Sequence, residues 1–462
     1  MNKDDQILKC RDDKSPVIFS KAAEGASAEV FFKLAESGDC SWAKKDEKFG
    51  PEKLRPRIEP WLTALFQSEH LALLVGSGLS YAVHKIATST DLPGMSPVTF
   101  AQFNTEINIE AKSSALAAGR KDGNIEDQIR VANELLRGLE IISKSTEDLA
   151  GKVDELKNNI KKALEDFAAS ILKGENGLIT AKSEELEKAF NYLVSFLMSF
   201  ASRTGTRDRL QIFTTNYDRY IEAGSEVAGL HLLDRFVGSL APVFRSSRLD
   251  IDMHYNPPGI RGEPRYVEGV ARFTKLHGSL DWVNTDKNIR RIGVPFGAES
   301  IAPYLKAPGL TGVEALQLMI YPNSAKDRET AAYPYVELFR DFAAAVCRPN
   351  NTLICFGYSF GDEHINRIIE DMLTIPSTHL VVISYSDPLG RIMQMYKKMG
   401  RHAQITLMIG NHIGDFQTIV DNYLPKPAID RTTFRMTELL KSRWGADAAD
   451  TKPHAGAEAT ES

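Results

Sequence analysis

The chain is poor in cysteine, and what it has is scattered. Cys10, Cys40, Cys347 and Cys355 form no C-x-x-C pair. That spacing indicates neither a zinc site nor a disulfide framework and leaves isolated thiols suited to a reducing compartment. Uninterrupted apolar runs of about 18 residues are also missing, so no membrane span is expected. Nor is there a surplus of positive charge. Against 61 Asp and Glu stand 56 Lys and Arg, and the formal net charge of -5 offers no general attraction to nucleic acid or acidic membranes. The opening residues MNKDDQILKCRDDKS lack the apolar core of a signal peptide. No internal repeat is evident. These absences predict a soluble, cytoplasmic chain.

What is present is the material of a large globular protein. Of 462 residues, 43% are hydrophobic and 25% charged, enough for a sizeable core and, at about 150 residues per unit, two or three structural units. Short apolar runs rich in β-branched residues (LALLV, QIF, RFTKL, LICF, HLVVI and QITLMI) each end in a polar or glycine-rich turn and alternate with helical stretches. This pattern predicts an α/β fold with a Rossmann-like, mainly parallel sheet covered by helices.

Between about Phe100 and Arg203 the texture changes to Ala, Leu, Glu and Lys. There Leu149, Val153, Leu156, Ile160, Leu164, Phe167 and Ile171 recur every three or four residues. An inserted helical subdomain packed on a core is expected here, in preference to a coiled-coil partner surface. Residues 1–60 read as a charged, partly helical N-terminal extension. Residues 61–430 form the main domain, with the insertion at about 100–203, and 431–462 a C-terminal segment with a disordered tail. The stretch Ser239–Ile301, rich in Arg, Pro and Gly, reads as loops and short strands.

In open α/β sheets, ligands bind beyond the carboxyl ends of the strands, so the residues just past each strand are the candidates. Gly76-Ser77-Gly78-Leu79-Ser80 follows LALLV. Glycines and a small hydroxyl residue opening a helix can present backbone N–H groups to a phosphate, though the same residues also make a plain tight turn. The segment is neither a Walker A loop nor a full G-x-G-x-x-G. In Thr214-Thr215-Asn216-Tyr217-Asp218 the Asn216 carboxamide can donate and accept, orienting a water or a ribose, or can simply cap a turn. Asp218 stands equally where a helix N-cap would be. A histidine side chain can take a proton near neutrality, and His277, in His277-Gly278-Ser279-Leu280-Asp281-Trp282, can serve so or can be structural. Gly357-Tyr358-Ser359-Phe360-Gly361-Asp362 repeats the strand–turn–helix logic. There Asp362 reads as a helix cap, because a carboxylate would repel a phosphate.

As a set, G-S-G-x-S, T-T-N-Y-D, H-G-S-L-D-W and G-Y-S-F-G-D resemble the sirtuin (silent-information-regulator) superfamily, most of all its branch in bacterial antiphage defence effectors. The resemblance runs from Leu71 to Leu424 around the helical section. It implies that residues 61–430 bind NAD+ as substrate. Gly76, Ser77, Gly78 and Ser80 would line the pyrophosphate and nicotinamide-ribose side, with Thr215 among the cofactor contacts. Asn216 would orient the attacking water or ribose, Asp218 support the nicotinamide pocket, and His277 act as general base. Gly357 and Ser359 would hold phosphate and the adenosine-side ribose, with Ser384 and Tyr385 bordering the adenine.

Classical sirtuin deacylases carry a zinc module with two C-x-x-C pairs, and this chain has none. The resemblance therefore implies a metal-independent NAD+ hydrolase releasing nicotinamide and ADP-ribose, an NAD-depleting effector in antiphage defence. In related systems such chains work with a second protein, including HerA-type ATPases and Argonaute-type proteins. A homo-oligomer or a complex with a HerA-type ATPase is the expectation, with the helical section and the N-terminal extension as contact material. An NAD- or ADP-ribose-binding scaffold subunit and a protein ADP-ribosyltransferase or deacylase are the alternatives.

Overall fold

The computed structural model describes residues 4–22, 30–35, 40–93, 95–117, 120–146, 149–203, 207–247, 252–255, 265–267, 269–285, 288–307, 309–310, 315–319 and 333–426. The expected tail at 431–462 lies outside the described residues. In chain order, β1 (Asp5–Lys9), β2 (Val17–Lys21) and β3 (Phe32–Leu34) precede α1 (Pro51–Phe66), β4 (His70–Val75) and α2 (Ser77–Thr88). Four helices follow: α3 (Asn104–Ala117), α4 (Ile125–Ile142), α5 (Ala150–Ile179) and α6 (Ser183–Ala201). Next come β5 (Gln211–Thr214), α7 (Tyr220–Val227), and the short strands β6 (His231–Leu233), β7 (Phe236–Val237), β8 (Val243–Phe244), β9 (His254–Tyr255) and β10 (Arg265–Tyr266). They lead to β11 (Val270–Lys275), β12 (Trp282–Asn284) and β13 (Ile289–Arg291). The last elements are α8 (Tyr335–Val346), β14 (Asn351–Phe356), α9 (Glu363–Leu373), β15 (His379–Ser384), α10 (Arg391–Met399), β16 (Ile405–Ile409) and α11 (Phe416–Asn422).

The main sheet has ten strands in the order β3-β2-β1-β16-β15-β14-β4-β5-β11-β6. From β16 to β6 every neighbouring pair is parallel. Strands β1, β2 and β3 add antiparallel at the β16 edge. The α/β, mainly parallel architecture is as expected from the apolar runs. Within residues 1–60, read as a partly helical extension, the helical part among the described residues is the start of α1 at Pro51, and β1, β2 and β3 before it widen the sheet. Ile7 pairs with Ile409 and Leu8 with Met408. The rings of Phe32 and Phe49 lie 5.2 and 5.5 Å from that of Phe19, which anchors this edge. A few apolar residues dispersed among charges are enough when an existing sheet edge receives them.

Strands β4, β14, β15 and β16 are buried almost end to end because helices cover both faces. The two-residue period of a strand sorts their side chains. Leu71, Leu73 and Val75 join the core under α1, α2, α6 and α11, whereas Ala72 and Leu74 join the one under α8, α9 and α10. The described residues of the Arg-, Pro- and Gly-rich stretch include short strands as expected, and β8, β12 and β13 join β7, just before it, in a separate four-stranded sheet. None of the described helices is long and apolar enough to cross a membrane.

Helices α3, α4 and α5 build a third core around Ile107, Ile129, Leu156, Ile160, Leu164 and Phe167, closed by Leu280, Val283 and Leu318. The periodic face of α5 is thus used within the chain. Helix α6, although inside the expected insertion, packs against the sheet through Ala189, Leu193, Phe196 and Phe200.

Insertion and sheet are tied by a buried ion pair. Glu175 of α5 is fully buried and accepts from the Arg219 backbone N–H at 3.0 Å and from Arg219 Nε at 3.1 Å. Burial pushes the Glu175 carboxyl above its ordinary range, against the opposing pull of Arg219. Removing one partner of such a pair leaves the other charge uncompensated, at a cost of about 3–5 kcal/mol. Glu175→Ala should therefore lower stability in equilibrium urea unfolding by about that amount. Glu187→Ala, on the exposed side of α6, should change it by less than ~0.5 kcal/mol. Equal midpoints for the two variants would refute the tie.

Candidate active site

Parallel pairing sends the loops after β4, β5, β11 and β14 out at one edge of the sheet. Strand order reverses at β4, which has β5 on one side and β14 on the other. That reversal opens a crevice where connections diverge. A cavity of about 1010 Å³ lies there, bounded by these loops and, across from them, by Glu126 and Phe167 of the insertion. Its size is at the top of the range for small-molecule sites.

The floor is made by two glycine turns pressed together. A Cβ on Gly78 would sit 2.6 Å from the Gly357 Cα, and one on Gly357 would sit 2.7 Å from the Gly78 Cα. Gly357 also has a φ of +60°, which glycine adopts without strain. Backbone amides of Gly76 and Gly78, read in the sequence as phosphate donors, are committed to this contact. They donate to the carbonyls of Phe356 at 2.9 Å and Gly357 at 3.1 Å. Ser77 is exposed at the cavity wall, between Gly76 and Gly78, which also line it.

Asn216 follows β5 and is buried, with its amide nitrogen donating to the Gly76 carbonyl at 3.0 Å and to Ser80 Oγ at 2.9 Å. Both amide hydrogens are thereby used, and the carbonyl oxygen is what the side chain can offer a substrate. Ser80, buried beside this amide, helps to draw the Asp218 carboxyl pKa down. Asp218 lines the cavity and also accepts from the Tyr220 backbone N–H at 3.3 Å, so the capping and the site roles coexist. Burial pushes its carboxyl above the usual carboxylate range, while Lys275 pulls it down.

His277 lies just past β11. The following Gly278, at φ +94°, turns the chain where a Cβ would strike the Met319 carbonyl. His277 Nε2 lies 2.9 Å from Asp362 Oδ2. Asp362 is the N-cap of α9, and its other oxygen accepts from the backbone N–H of His364 at 2.8 Å and Ile365 at 3.4 Å. A carboxylate can only accept, so Nε2 carries the proton and Nδ1 bears the lone pair. Nearby, the Tyr217 hydroxyl donates to Glu126 Oε1 at 2.7 Å, tying the insertion to the T-T-N-Y-D loop. Burial, and then the charge of Glu126, hold the Tyr217 hydroxyl well above its ordinary pKa.

Gly76, Ser77, Gly78, Thr215, Asn216, Asp218, His277, Gly357 and Ser359 all line the cavity. Ser80 is buried behind the wall, where its hydroxyl accepts from the Asn216 amide. Ser384 turns into its own loop, its hydroxyl donating to the Ser386 carbonyl at 2.8 Å, while Tyr385 and Ser386 reach the cavity. Asp362 was legible as a cap but not as the partner of His277, because its second oxygen meets a residue 85 positions away. Glu126, Arg120 and Arg391 also line the cavity and carry no motif around them.

Residues 210–404 match the family model of the SIR2-like domain. The matched span contains Asn216, His277 and Asp362, and SIR2-like domains use NAD+ as substrate. No curated protein matches the chain. The first glycine turn lies before the matched span and is joined to it by the pairing of β4 with β14 and β5.

Because the two turns leave no room for a methyl group, Gly78→Ala should cost about 1–3 kcal/mol in denaturant unfolding. A variant as stable as the parent would show that the loops separate freely.

Proposed function

We propose that the chain is an NAD+ hydrolase that breaks the nicotinamide–ribose bond and releases nicotinamide and ADP-ribose. The observation that carries this reading is the His277–Asp362 pair, on the same cavity as Asn216 and within the span matched to a domain that uses NAD+. The C–N bond breaks with its electron pair passing to the nicotinamide nitrogen, leaving oxocarbenium character at C1′. Asn216 holds the attacking water through its carbonyl oxygen. His277 Nδ1 accepts the proton that the water gives up on bonding to C1′, directly or through a ribose hydroxyl. Asp362 stabilises the imidazolium that forms. The balance is NAD+ plus water to nicotinamide, ADP-ribose and a proton.

On this reading the chain is an NAD-depleting effector in antiphage defence. Destroying NAD+ without restraint would kill the host cell. Self-association or a HerA-type ATPase partner is the restraint we infer from the resemblance of the motif set.

Purified chain incubated with NAD+ should release free nicotinamide and ADP-ribose in equal amounts. His277→Ala and Asn216→Ala should each lose at least about 100-fold in rate while keeping the parent's circular dichroism. Asp362→Asn should fall between these variants and the parent, because the imidazole keeps its base but loses its charged partner. Full turnover by folded His277→Ala would remove that residue from the mechanism. Nicotinamide release accompanied by ADP-ribose on protein would instead identify a transferase.

A further inference from the structure

Two of the basic residues that line the cavity are arginines that take no part in the chemistry above. Arg391 opens α10, and Arg120 stands in the turn between α3 and α4 of the insertion. The Arg391 guanidinium lies against the second glycine turn. Its Nη1 is 2.9 Å from the place a Cβ on Gly361 would take, and Ser359 Oγ is 3.5 Å from the same point. A side chain at 361 would push Arg391 away from that turn.

Arg120 is aimed by a bidentate pair, its Nη1 and Nη2 donating to Asp127 at 2.6 and 2.5 Å. Three of the five guanidinium N–H groups lie outside that pair. The Asp127 carboxylate is itself fixed by the capping box that starts α4, accepting from the Asn124 backbone N–H at 2.9 Å. Arg120 is therefore held rigidly at the end of a helix.

Arg391 occupies the first turn of a helix, where the aligned peptide dipoles disfavour a cation. Burial, and then the positive charge of Arg120, lower its pKa, so the two guanidiniums feel each other. Asp127 pairs with Arg120, Asp387 accepts from the Ile392 and Met393 backbone N–H groups, and Glu126 holds Tyr217. An anion reached by both guanidiniums would be attracted to each. Planar forks of N–H donors suit a phosphoryl group, whose oxygens accept two parallel bonds. The first glycine turn leaves that task open, since the amides of Gly76 and Gly78 are committed to protein carbonyls.

We propose that Arg391 and Arg120 together bind a phosphoryl group of the nucleotide, one from the second glycine turn and the other from the helical insertion. Substrate then ties the insertion to the sheet. The identity of the nucleotide rests on the NAD+ reading of the cavity, with the pyrophosphate as the group gripped. The presence of a phosphate does not rest on that reading.

Isothermal titration of the full chain with ADP-ribose, ADP, NADP+ and adenosine tests this, on the parent and on Arg391→Ala, Arg391→Lys and Arg120→Gln. Arg391→Ala should weaken ADP-ribose and ADP by about tenfold or more, with adenosine little changed. Arg391→Lys should recover part of the loss, and Arg120→Gln should weaken the same ligands while melting as a folded protein. If only the NADP+ affinity responds to both arginines, the pair grips a 2′-phosphate and the pyrophosphate assignment falls. Unchanged affinities for every phosphate-bearing probe in Arg391→Ala and Arg120→Gln would overturn the proposal, as would a parent chain that binds none of them. Arginine-dependent binding of ADP by a parent that binds neither ADP-ribose nor NADP+ and does not cleave NAD+ would support the phosphate clamp and overturn the NAD+ reading.

Discussion

Two glycine turns touch backbone to backbone at the middle of the sheet's carboxyl edge, and the shape of the cavity depends on that contact. Strands β4 and β14 pair in parallel with Val75 opposite Phe356, so the residues that follow, Gly76 and Gly357, leave the sheet side by side. With no side chain at either turn, the Gly78 amide can reach the Gly357 carbonyl, and the starts of α2 and α9 open into one space. Asp362, fixed as the cap of α9, is thereby held where His277 arrives from β11. A methyl group at this junction would disturb the acid–base pair without touching either partner.

Buried charge supplies a second constraint, and it acts on the loop after β5. Lys275, almost wholly enclosed, reaches the carbonyls of Asp218 and Tyr217 and pairs with Glu222 Oε1 at 3.0 Å. From the other side the insertion grips the same loop through Glu175 on Arg219 and Glu126 on Tyr217. Desolvation makes such groups costly unless each finds a partner, so their pairing specifies one loop conformation more sharply than apolar packing would. Asn216, which lines the cavity, belongs to this tightly held loop. The helical insertion therefore lines the cavity together with the sheet, through Glu126 and Phe167.

Much of the main sheet was visible in advance because its strands are buried on both faces and so read as continuous apolar runs. LALLV, LICF and HLVVI need no context to be recognised. The first three strands were not visible, since β2 and β3 alternate with polar residues and β1 depends on the β16 edge to receive it. Local chemistry of the same kind exposed Asn216 and His277 as polar residues just past strands. It could not tell that the Ser384 hydroxyl turns to the Ser386 carbonyl, because nothing in the residue type says which way a hydroxyl turns at a strand end.

Residue order alone determined the class of sheet, the succession of glycine turns after strands, and the two side chains best suited to handle a proton and a water. These are properties of short segments, decided by local periodicity and by what glycine, asparagine and histidine can do. Only the tertiary structure decided that Asp362 serves His277, that the amides of Gly76 and Gly78 face inward, and that Glu126, Arg120 and Arg391 meet at one cavity. Each of these pairings joins residues far apart in the chain or turns on the direction of a single bond. The physical reason is that contact across the sheet edge is set by strand register and by the packing of the insertion, neither of which a local pattern encodes.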